Sequence, residues 1–397
     1  MFKTLDDIEV RGRIVIVRGD LNVPMLDGTI SDTTRIERLA LTLRELSDKG
    51  ARVVVLSHFG RPNGRVVEDM SLRVVVAPLS AALEGRNVLF VDDCVGEPVG
   101  KAVASLKPDQ VILLENLRFH PEEETNNRDF AAKLAGLGDI YVNDAFSAAH
   151  RAHASTEAIT HFLPAFAGRS MEAECMALRD ALETPARPVI AIVGGAKVST
   201  KLEVLGNLMS HVDNLVIGGA MANTFLLAQG VQVGTSLIEP TLVDEAKSIL
   251  RLAQKTGCTI HLPTDAIVAT ALQSGIDVRE VSVDEVPGDC MILDMGPRTI
   301  AKLTDIMAKC RTLVWNGPLG VFEVLPFDRG TVDVARRAGE LTQTGDLISV
   351  AGGGDTVAAL QHAGVADQFS YVSTAGGAFL EWLEGRSLPG LVALERN

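Results

Sequence analysis

Basic and amide side chains follow four of the short apolar runs in the first half of the chain. They lie in RGDLN at 18–22, SHFGRP at 57–62, ENLR at 115–118 and NDAF at 143–146, with HRAH at 150–153 close behind the last. Guanidinium groups bind phosphates and carboxylates through paired hydrogen bonds. Such side chains, gathered at one place, predict a site for a small anionic molecule.

Glycines take the corresponding positions in the second half of the chain. They occur after apolar runs in GGAK at 194–197, GGA at 218–220, NGP at 316–318, GGGD at 352–355 and STAGGA at 373–378. Glycine lets the backbone approach a phosphate chain, and the start of the following helix attracts its charge. Lys197 and Lys201 are four residues apart, so we expect them on one face of a helix, in contact with successive phosphates. Asp355 is placed to hold Mg²⁺ beside those phosphates.

These segments require a scaffold that brings strand ends together. Apolar runs alternate with helical stretches throughout, which favours parallel sheets built from βαβ units, with ligands beyond the carboxyl ends of the strands. Each run is nearly all apolar, as expected for a strand covered on both faces. The predicted strands are Arg13–Val17, Ala51–Leu56, Val88–Val91, Val111–Leu114, Ile140–Val142, Val189–Val193, Asn214–Ile217, Thr259–Leu262, Met291–Leu293, Leu313–Trp315, Leu347–Val350 and Phe369–Val372.

A helix is predicted between the two halves, over Ser170–Leu182. Apolar residues recur there at helical spacing, Ser170 is expected to cap the start, and prolines at 185 and 188 follow the end. The predicted fold class is therefore α/β, with two doubly wound, Rossmann-like parallel-sheet lobes joined by a hinge helix. The expected domains are 1–169, the hinge at 170–185, and 186–386.

Composition restricts the classes of function. The 397 residues carry a formal net charge of −14, which disfavours nucleic acid and anionic membranes as partners. No apolar run approaches the length of a membrane span, and the start of the chain does not resemble a signal peptide. The five cysteines are scattered and include no CxxC pair, which indicates reduced thiols and a cytoplasmic location.

Two familiar nucleotide motifs are missing, because neither GxxxxGK[ST] nor GxGxxG occurs. The glycine-rich strand ends therefore indicate a nucleotide site of another design. An NAD-linked oxidoreductase is an alternative, since such strand ends also bind dinucleotides, although the missing GxGxxG argues against it. A catalytically silent binding protein on a kinase scaffold is a second alternative.

Seven segments, in order, resemble motifs of the phosphoglycerate kinase family: RGDLNVP, SHFGRP, LLENLRF, VNDAFSAAHRAHAS, GGAKVSTK, VWNGPLGVFE and GGGDT. The resemblance extends from Arg18 to Gly377. It implies reversible phosphoryl transfer between 1,3-bisphosphoglycerate with ADP and 3-phosphoglycerate with ATP, with Mg²⁺ on the nucleotide. It also implies a glycolytic monomer whose lobes close about a hinge, with a tail at 387–397 that returns to the first lobe.

The resemblance also assigns residues by matching position. The catalytic residues would be Arg35, Lys197 and Lys201, and the metal ligand would be Asp355. Asp20 would either accept from the glycerate hydroxyl or orient Arg35. The substrate-binding residues would be Asp20, Leu21, Asn22, Arg35, His58, Phe59, Gly60, Arg61, Arg118 and Arg151. The nucleotide-binding residues would be Lys197, Lys201, Asn316, Glu323, Gly352, Gly353, Gly354, Asp355 and Thr356.

The chain departs from the usual residues of that family at a few positions. These are Gly19, Phe59, Ala220, Arg298 and Ala375. None of the departures removes a side chain that is assigned to chemistry. Ala375 matters most, because its methyl group stands in a turn near the expected phosphates.

Overall fold

The computed structural model describes residues 2–108 and 110–396, which form two compact units. One unit contains the described residues up to Cys175 and those from Ser387 onward, and the other is Met176–Arg386. Each unit has a six-stranded parallel sheet of its own. The α/β fold with two parallel-sheet lobes is therefore confirmed. No helix within the described ranges combines the length and the apolar character that a membrane crossing needs.

The sheet of the first unit has the strand order β5-β6-β4-β1-β7-β8, with all strands parallel. β5 lies at one edge of this sheet. The elements, numbered in chain order, are β1 (Ile14–Gly19), β2 (Met25–Leu26), β3 (Thr29–Ile30), α1 (Thr34–Asp48), β4 (Arg52–Leu56), α2 (Val76–Ala82), β5 (Val88–Val91), α3 (Glu97–Ala104), β6 (Val111–Leu114), α4 (Pro121–Glu124), α5 (Arg128–Ala135), β7 (Ile140–Asp144) and β8 (Ala165–Ala167).

The chain passes from one unit to the other within α6 (Arg169–Leu182). Asp144, at the end of β7, caps the start of this helix: its Oδ1 accepts from the backbone N–H groups of Ser170 (2.7 Å) and Met171 (3.1 Å). The prediction that Ser170 is the cap is wrong, because the helix begins one residue earlier and Ser170 lies in its first turn. Burial raises the pKa of the Asp144 carboxyl to about 7.

The main sheet of the second unit has the strand order β11-β10-β9-β15-β16-β17, again all parallel. The elements of this unit are β9 (Val189–Val193), α7 (Leu202–Leu208), β10 (Asn214–Ile217), α8 (Met221–Ala228), α9 (Val243–Thr256), β11 (Thr259–His261), β12 (Asp265–Ala269), β13 (Arg279–Ser282), β14 (Met291–Met295), α10 (Pro297–Met307), β15 (Thr312–Asn316), α11 (Arg329–Gln343), β16 (Ile348–Gly352), α12 (Gly354–Ala363), β17 (Tyr371–Ser373) and α13 (Gly377–Leu383).

One predicted strand belongs to a different sheet from the one expected. The run at Met291–Leu293 is the start of β14, which pairs antiparallel with β12 in a separate sheet of order β13-β12-β14. Parallel pairing needs a long crossover, usually a helix, whereas residues 270–290 contain no α-helix. The strands β12 and β13 went unpredicted because the first begins with a buried aspartate and the second is largely exposed.

The end of the chain returns to the first unit as α14 (Pro389–Glu395). The backbone N–H of Gly390 donates to the carbonyl oxygen of Ala149 at 2.9 Å. Arg396 forms an ion pair with Glu157 at 3.3 Å. The expected return of the tail to the first lobe is therefore confirmed.

Candidate functional site

Arg18 is a wholly buried arginine near the end of β1. Its guanidinium donates to Oγ of Ser155 (3.0 Å), to the carbonyl oxygen of Gly19 (2.6 Å) and to Nδ1 of His58 (3.1 Å). An arginine can only donate hydrogen bonds, so Nδ1 of His58 is the acceptor. A neutral imidazole that accepts at Nδ1 carries its proton on Nε2, which leaves His58 as a hydrogen-bond donor at that atom.

His58 is neutral for a physical reason. Burial lowers its pKa well below the usual 6.5, and the positive charges of Arg18, Arg118 and Arg35 lower it further. These three guanidinium groups are therefore close enough to act electrostatically on one imidazole. Four basic side chains thus converge at the ends of the central strands of the first sheet.

A buried carboxylate balances Arg18 indirectly. Oγ of Ser155 accepts from Arg18 and donates to Oε1 of Glu123 at 2.6 Å, while the Ser155 N–H donates to Oε2 at 3.0 Å. Burial raises the pKa of Glu123, and the nearby Arg18 opposes that rise. The hydroxyl of Ser155 therefore forms a hydrogen-bonded bridge between two buried groups of opposite charge.

Arg35 stands in the first turn of α1 and is held by two acceptors. Its Nη1 lies 3.0 Å from Oδ2 of Asp20 and 2.8 Å from the carbonyl oxygen of Asn22. Oδ2 of Asp20 also accepts from the Ser147 hydroxyl at 2.5 Å. Of the two roles left open for Asp20, this geometry favours the orientation of Arg35.

Gly60 links two of the predicted substrate residues through its backbone. Its N–H donates to Oδ1 of Asn22 at 2.8 Å, and its carbonyl oxygen accepts from Nη1 of Arg118 at 2.9 Å. Its φ of +63° favours glycine, and a Cβ there would lie 2.9 Å from the sulfur of Met70. Burial lowers the pKa of Arg118, with Glu124 opposing that effect.

The remaining predicted residues of the first unit differ in how accessible they are. Arg61 and Arg151 are exposed, and Nε of Arg151 lies 3.2 Å from Nε2 of His150. Leu21 and Phe59 have side chains in the hydrophobic core. The N–H of Leu21 donates to Oγ of Ser57. The side-chain amide of Asn116 accepts from the N–H of Phe59 and donates to its carbonyl oxygen. Leu21 and Phe59 therefore belong to the scaffold and offer no side-chain polar group to a ligand.

Glycines at the strand ends of the second unit allow their loops to touch. A Cβ on Gly194 would lie 1.9 Å from the carbonyl oxygen of Pro318, and one on Gly317 would lie 2.1 Å from that of Gly194. A Cβ on Gly219, whose φ is +66°, would likewise lie 2.6 Å from the carbonyl oxygen of Gly195. Any larger residue would force these loops apart, so the glycines are needed for contact between the loops themselves.

The two lysines do not lie on one helix face as predicted. Lys197 is exposed ahead of a 3₁₀ turn at Val198–Thr200. Lys201 stands just before the start of α7, with a non-helical φ of −128° and ψ of 2°. That break in helical geometry at Lys201 separates the turn from the helix. The pair therefore flanks a turn at the positive end of α7.

Asn316 connects Lys201 to two strand ends. Its Oδ1 accepts from Nζ of Lys201, its Nδ2 donates to the carbonyl oxygen of Gly352 at 2.6 Å, and its own carbonyl accepts from the N–H of Gly194. Burial lowers the pKa of Lys201, whereas the nearby carboxylate of Asp355 opposes this. Lys201 and Asp355 are thus neighbours at the end of the sheet.

The start of α12 lies beside these groups. Gly353 has φ of +99° and precedes the helix, whose first turn contains the exposed Asp355. Thr356 is buried: its hydroxyl accepts from the Gly317 N–H (2.7 Å) and donates to the carbonyl oxygen of Gly352 (2.8 Å). A ligand contact from Thr356 is therefore restricted to its backbone N–H, one of the unpaired donors of a helix start.

Glu323, the last of the predicted nucleotide residues, lies in a turn beyond β15 with its carboxylate exposed. Its neighbour Phe322 is buried and packs edge-on against His362, with ring centroids 6.0 Å apart. That contact fixes the turn against the far end of α12.

A family model described as phosphoglycerate kinase matches residues 5–386. The chain belongs to the phosphoglycerate kinase family. The phosphoglycerate kinase of Granulibacter bethesdensis is 59% identical over 393 residues, which are 99% of each chain. That of Rhizobium meliloti is 58% identical over 397 residues, covering 100% of this chain and 99% of the relative.

Solved structures of phosphoglycerate kinases share the fold. The structure from Coxiella burnetii superposes with a TM-score of 0.92 at 41% identity and covers 100% of this chain and 99% of its own. The structure from Pyrococcus horikoshii gives a TM-score of 0.83 at 32% identity, with 100% and 98% covered. The likeness therefore spans both units.

In this member of the phosphoglycerate kinase family, sequence reasoning overlooked Arg18 as part of the site, although it read the motif that contains it. The available signal was a charged residue inside the apolar run IVIVRG, because a buried charge is costly unless it is paired. Ser155 and Glu123 gave no such signal, since their contact with Arg18 depends on the fold of distant segments.

Proposed function

We propose that this chain transfers a phosphoryl group reversibly between ATP and the carboxylate of 3-phosphoglycerate, yielding ADP and 1,3-bisphosphoglycerate. The observation that carries the proposal is the convergence of Arg18, Arg35, Arg118 and neutral His58 at the strand ends of one unit. In a chain of net charge −14, such a cluster serves an anion. The partners are small molecules rather than nucleic acid, and we expect a monomer in the cytoplasm.

The first unit binds the phosphorylated acid in this proposal, with domain bounds 1–169 and 387–397. Nε2–H of His58 donates to an oxygen of the acid, and Arg118 and Arg151 supply guanidinium groups for its phosphate. Asp20 and the Asn22 carbonyl hold Arg35 in a fixed direction. A cation that is oriented in advance loses less freedom when the substrate binds.

The second unit, 186–386, binds the nucleotide. The glycine turns bring backbone close to the phosphate chain, and the unpaired N–H groups at the start of α12 attract its charge. Lys201, fixed by Asn316, contacts a phosphate, and Lys197 on its exposed turn reaches the transferred group. Glu323 offers a carboxylate to the sugar hydroxyls.

The residues present fit a magnesium ion at Asp355. Mg²⁺ is usually bound by one or two carboxylates together with phosphate oxygens and water, and Asp355 offers an exposed carboxylate beside the phosphate-binding helix start. Bound there, the ion would neutralise charge on the nucleotide phosphates. The chain's own contribution is to place that carboxylate near enough to Lys201 to act on its amine, raising a pKa that burial lowers.

The chemistry needs no general base. The accepting carboxylate is already ionised at neutral pH, so it attacks as it stands. Catalysis then consists of alignment and of positive charge on the transferring group, which we assign to Arg35 and Lys197. The neutral His58 contributes a hydrogen bond and no proton.

A coupled assay tests the proposal. The purified chain is mixed with 3-phosphoglycerate and MgATP, and the product is consumed by glyceraldehyde-phosphate dehydrogenase with NADH oxidation as the readout. We expect turnover, and a loss of about 10³-fold or more in Arg35→Ala, by analogy with other arginines at transferring phosphoryl groups. Arg44→Ala, on the same helix but paired to Glu84, is the control and retains activity. Absence of turnover by the wild type refutes the proposal, and normal turnover by Arg35→Ala refutes that residue's role.

A further inference from the structure

Three residues of the first unit place a sulfur, a nitrogen and an oxygen close together, outside the substrate sites described above. Asp93 and Cys94 follow the edge strand β5, and His120 follows the 3₁₀ turn at Leu117–Phe119. One ligand atom from each residue lies within 4.8 Å of the other two. These three residues are called the Asp-Cys-His cluster below.

The cluster is held in place by its surroundings. Nε2 of His120 lies 2.8 Å from Oδ1 of Asp93, and the His120 ring packs on Phe130 with centroids 5.1 Å apart. The backbone N–H of Cys94 donates to the same Oδ1 at 2.6 Å. The Cys94 sulfur is buried, whereas the side chain of Asp93 is half exposed. The cluster therefore has fixed ligand directions on one side and access to solvent on the other.

The charge around the sulfur favours a cation. The carboxylates of Asp93, Glu123 and Glu115 all lie near enough to act on the Cys94 thiol. Glu123 and Glu115 are themselves buried. Glu123 is already balanced by Arg18 through Ser155, so a divalent cation at the cluster would chiefly offset the charges of Asp93 and Glu115.

We propose that Asp93, Cys94 and His120 bind a divalent cation that prefers sulfur and nitrogen ligands, such as Zn²⁺. Thiolate, imidazole and carboxylate together suit Zn²⁺ or Co²⁺, whereas Mg²⁺ prefers oxygen ligands alone. On binding, the Cys94 thiol gives its proton to solvent as the metal–sulfur bond forms. The hydrogen bond between His120 and Asp93 gives way to metal–nitrogen and metal–oxygen bonds, with the ring proton on Nδ1. Water takes the fourth position on the exposed side.

This site is separate from the nucleotide-linked magnesium, since Asp355 belongs to the other unit. His120 lies two residues along the chain from Arg118, which donates to the carbonyl oxygen of Gly60 in the substrate-binding segment. A metal bound by His120, Asp93 and Cys94 would link the substrate-binding segment to the residues that follow β5. The inference itself concerns metal binding and stands whether or not the activity proposed above is correct.

Cobalt titration of the metal-free protein tests the site by absorption. We expect one equivalent of Co²⁺ to give a thiolate-to-metal band in the near ultraviolet and tetrahedral visible bands, both removed by Zn²⁺ and unaffected by excess Mg²⁺. Cys94→Ser should abolish the thiolate band. Cys258→Ser, a buried cysteine of the other unit, is the matched control and should keep it.

His120→Gln gives a second, independent variant, because this partly exposed side chain is less critical to folding than the buried cysteine. We expect it to weaken Co²⁺ binding by at least about tenfold, with an unchanged far-ultraviolet spectrum. A wild type without the thiolate band overturns the proposal. So does a band that persists in Cys94→Ser, or a Co²⁺ affinity that is the same in His120→Gln and in the wild type.

Discussion

Nη2 of Arg18 lies 3.1 Å from Nδ1 of His58, and this hydrogen bond connects the end of β1 to the segment after β4. Arg18 is fully buried, so its charge orients a neighbouring side chain and is out of direct reach of solvent. His58 is thereby fixed as a neutral donor at Nε2. The counter-charge, Glu123, acts through the hydroxyl of Ser155.

Replacing Arg18 tests this arrangement. Arg18→Met should lower the free energy of unfolding by about 3 kcal/mol, because removal of one buried charge leaves Glu123 uncompensated. Urea unfolding followed by far-ultraviolet circular dichroism measures the change. Glu123→Gln and the double variant complete a cycle, in which we expect the double variant to recover about 1 kcal/mol relative to the sum of the single changes. Strict additivity would show that Arg18 and Glu123 are not coupled.

The pKa of His58 predicts a pH dependence of stability. Because that pKa is well below 6.5 in the folded chain, the unfolded chain binds a proton below pH 6.5 that the folded chain does not. Stability from this group is therefore present above pH 6.5 and is lost as the pH falls. Relative to His58→Gln, the wild type should lose up to about 1.4 kcal/mol per pH unit between pH 6.5 and 5.

Glutamine is the matched replacement, because it can accept from Arg18 and donate on its other side without titrating. The measurement is the free energy of unfolding of both proteins at several pH values in one buffer series. Parallel curves for the two proteins would mean that His58 takes up a proton equally in the folded and unfolded chain.

The contact between the loops of the second unit predicts an unequal effect of two glycine substitutions. In Gly194→Ala the new Cβ would stand 1.9 Å from the carbonyl oxygen of Pro318, so we expect a loss of at least about 1–3 kcal/mol of stability and a raised KM for ATP. In Gly206→Ala the new Cβ would meet no atom within 4 Å beyond its chain neighbours and its own helix backbone, and the residue is inside α7. That control should gain about 0.5–1 kcal/mol. Equal effects at the two positions would contradict the role of Gly194.

The sequence predicts most of the strands because the buried runs of a parallel sheet are continuously apolar. The prediction fails where a buried strand position carries a polar residue. The run that forms β12 begins with Asp265, a buried residue whose carboxylate accepts from the N–H groups of Arg298 and Thr299 at the start of α10. Asp144 does the same for α6, and neither cap can be read from the residues next to the helix itself.

The candidate site shows the same division. Gly352, Gly353 and Asp355 lie where motif spacing places them, since neighbouring residues are positioned by a single turn. The hydroxyl of Thr356 is occupied by a hydrogen bond from Gly317, and Arg35 is oriented by Asp20. Both contacts join residues that are not neighbours in the chain. Such contacts are set by the pairing of strands, which no local pattern specifies.

A crossed titration by calorimetry tests whether the two units bind different substrates. Arg151→Ala should weaken 3-phosphoglycerate binding by at least about tenfold, or 1.4 kcal/mol, and leave MgADP binding unchanged. Lys201→Ala should do the reverse, while Lys255→Ala, an exposed lysine in the last turn of α9, should change neither. If Lys201→Ala weakens 3-phosphoglycerate and spares MgADP, the assignment of the two substrates to the two units is wrong.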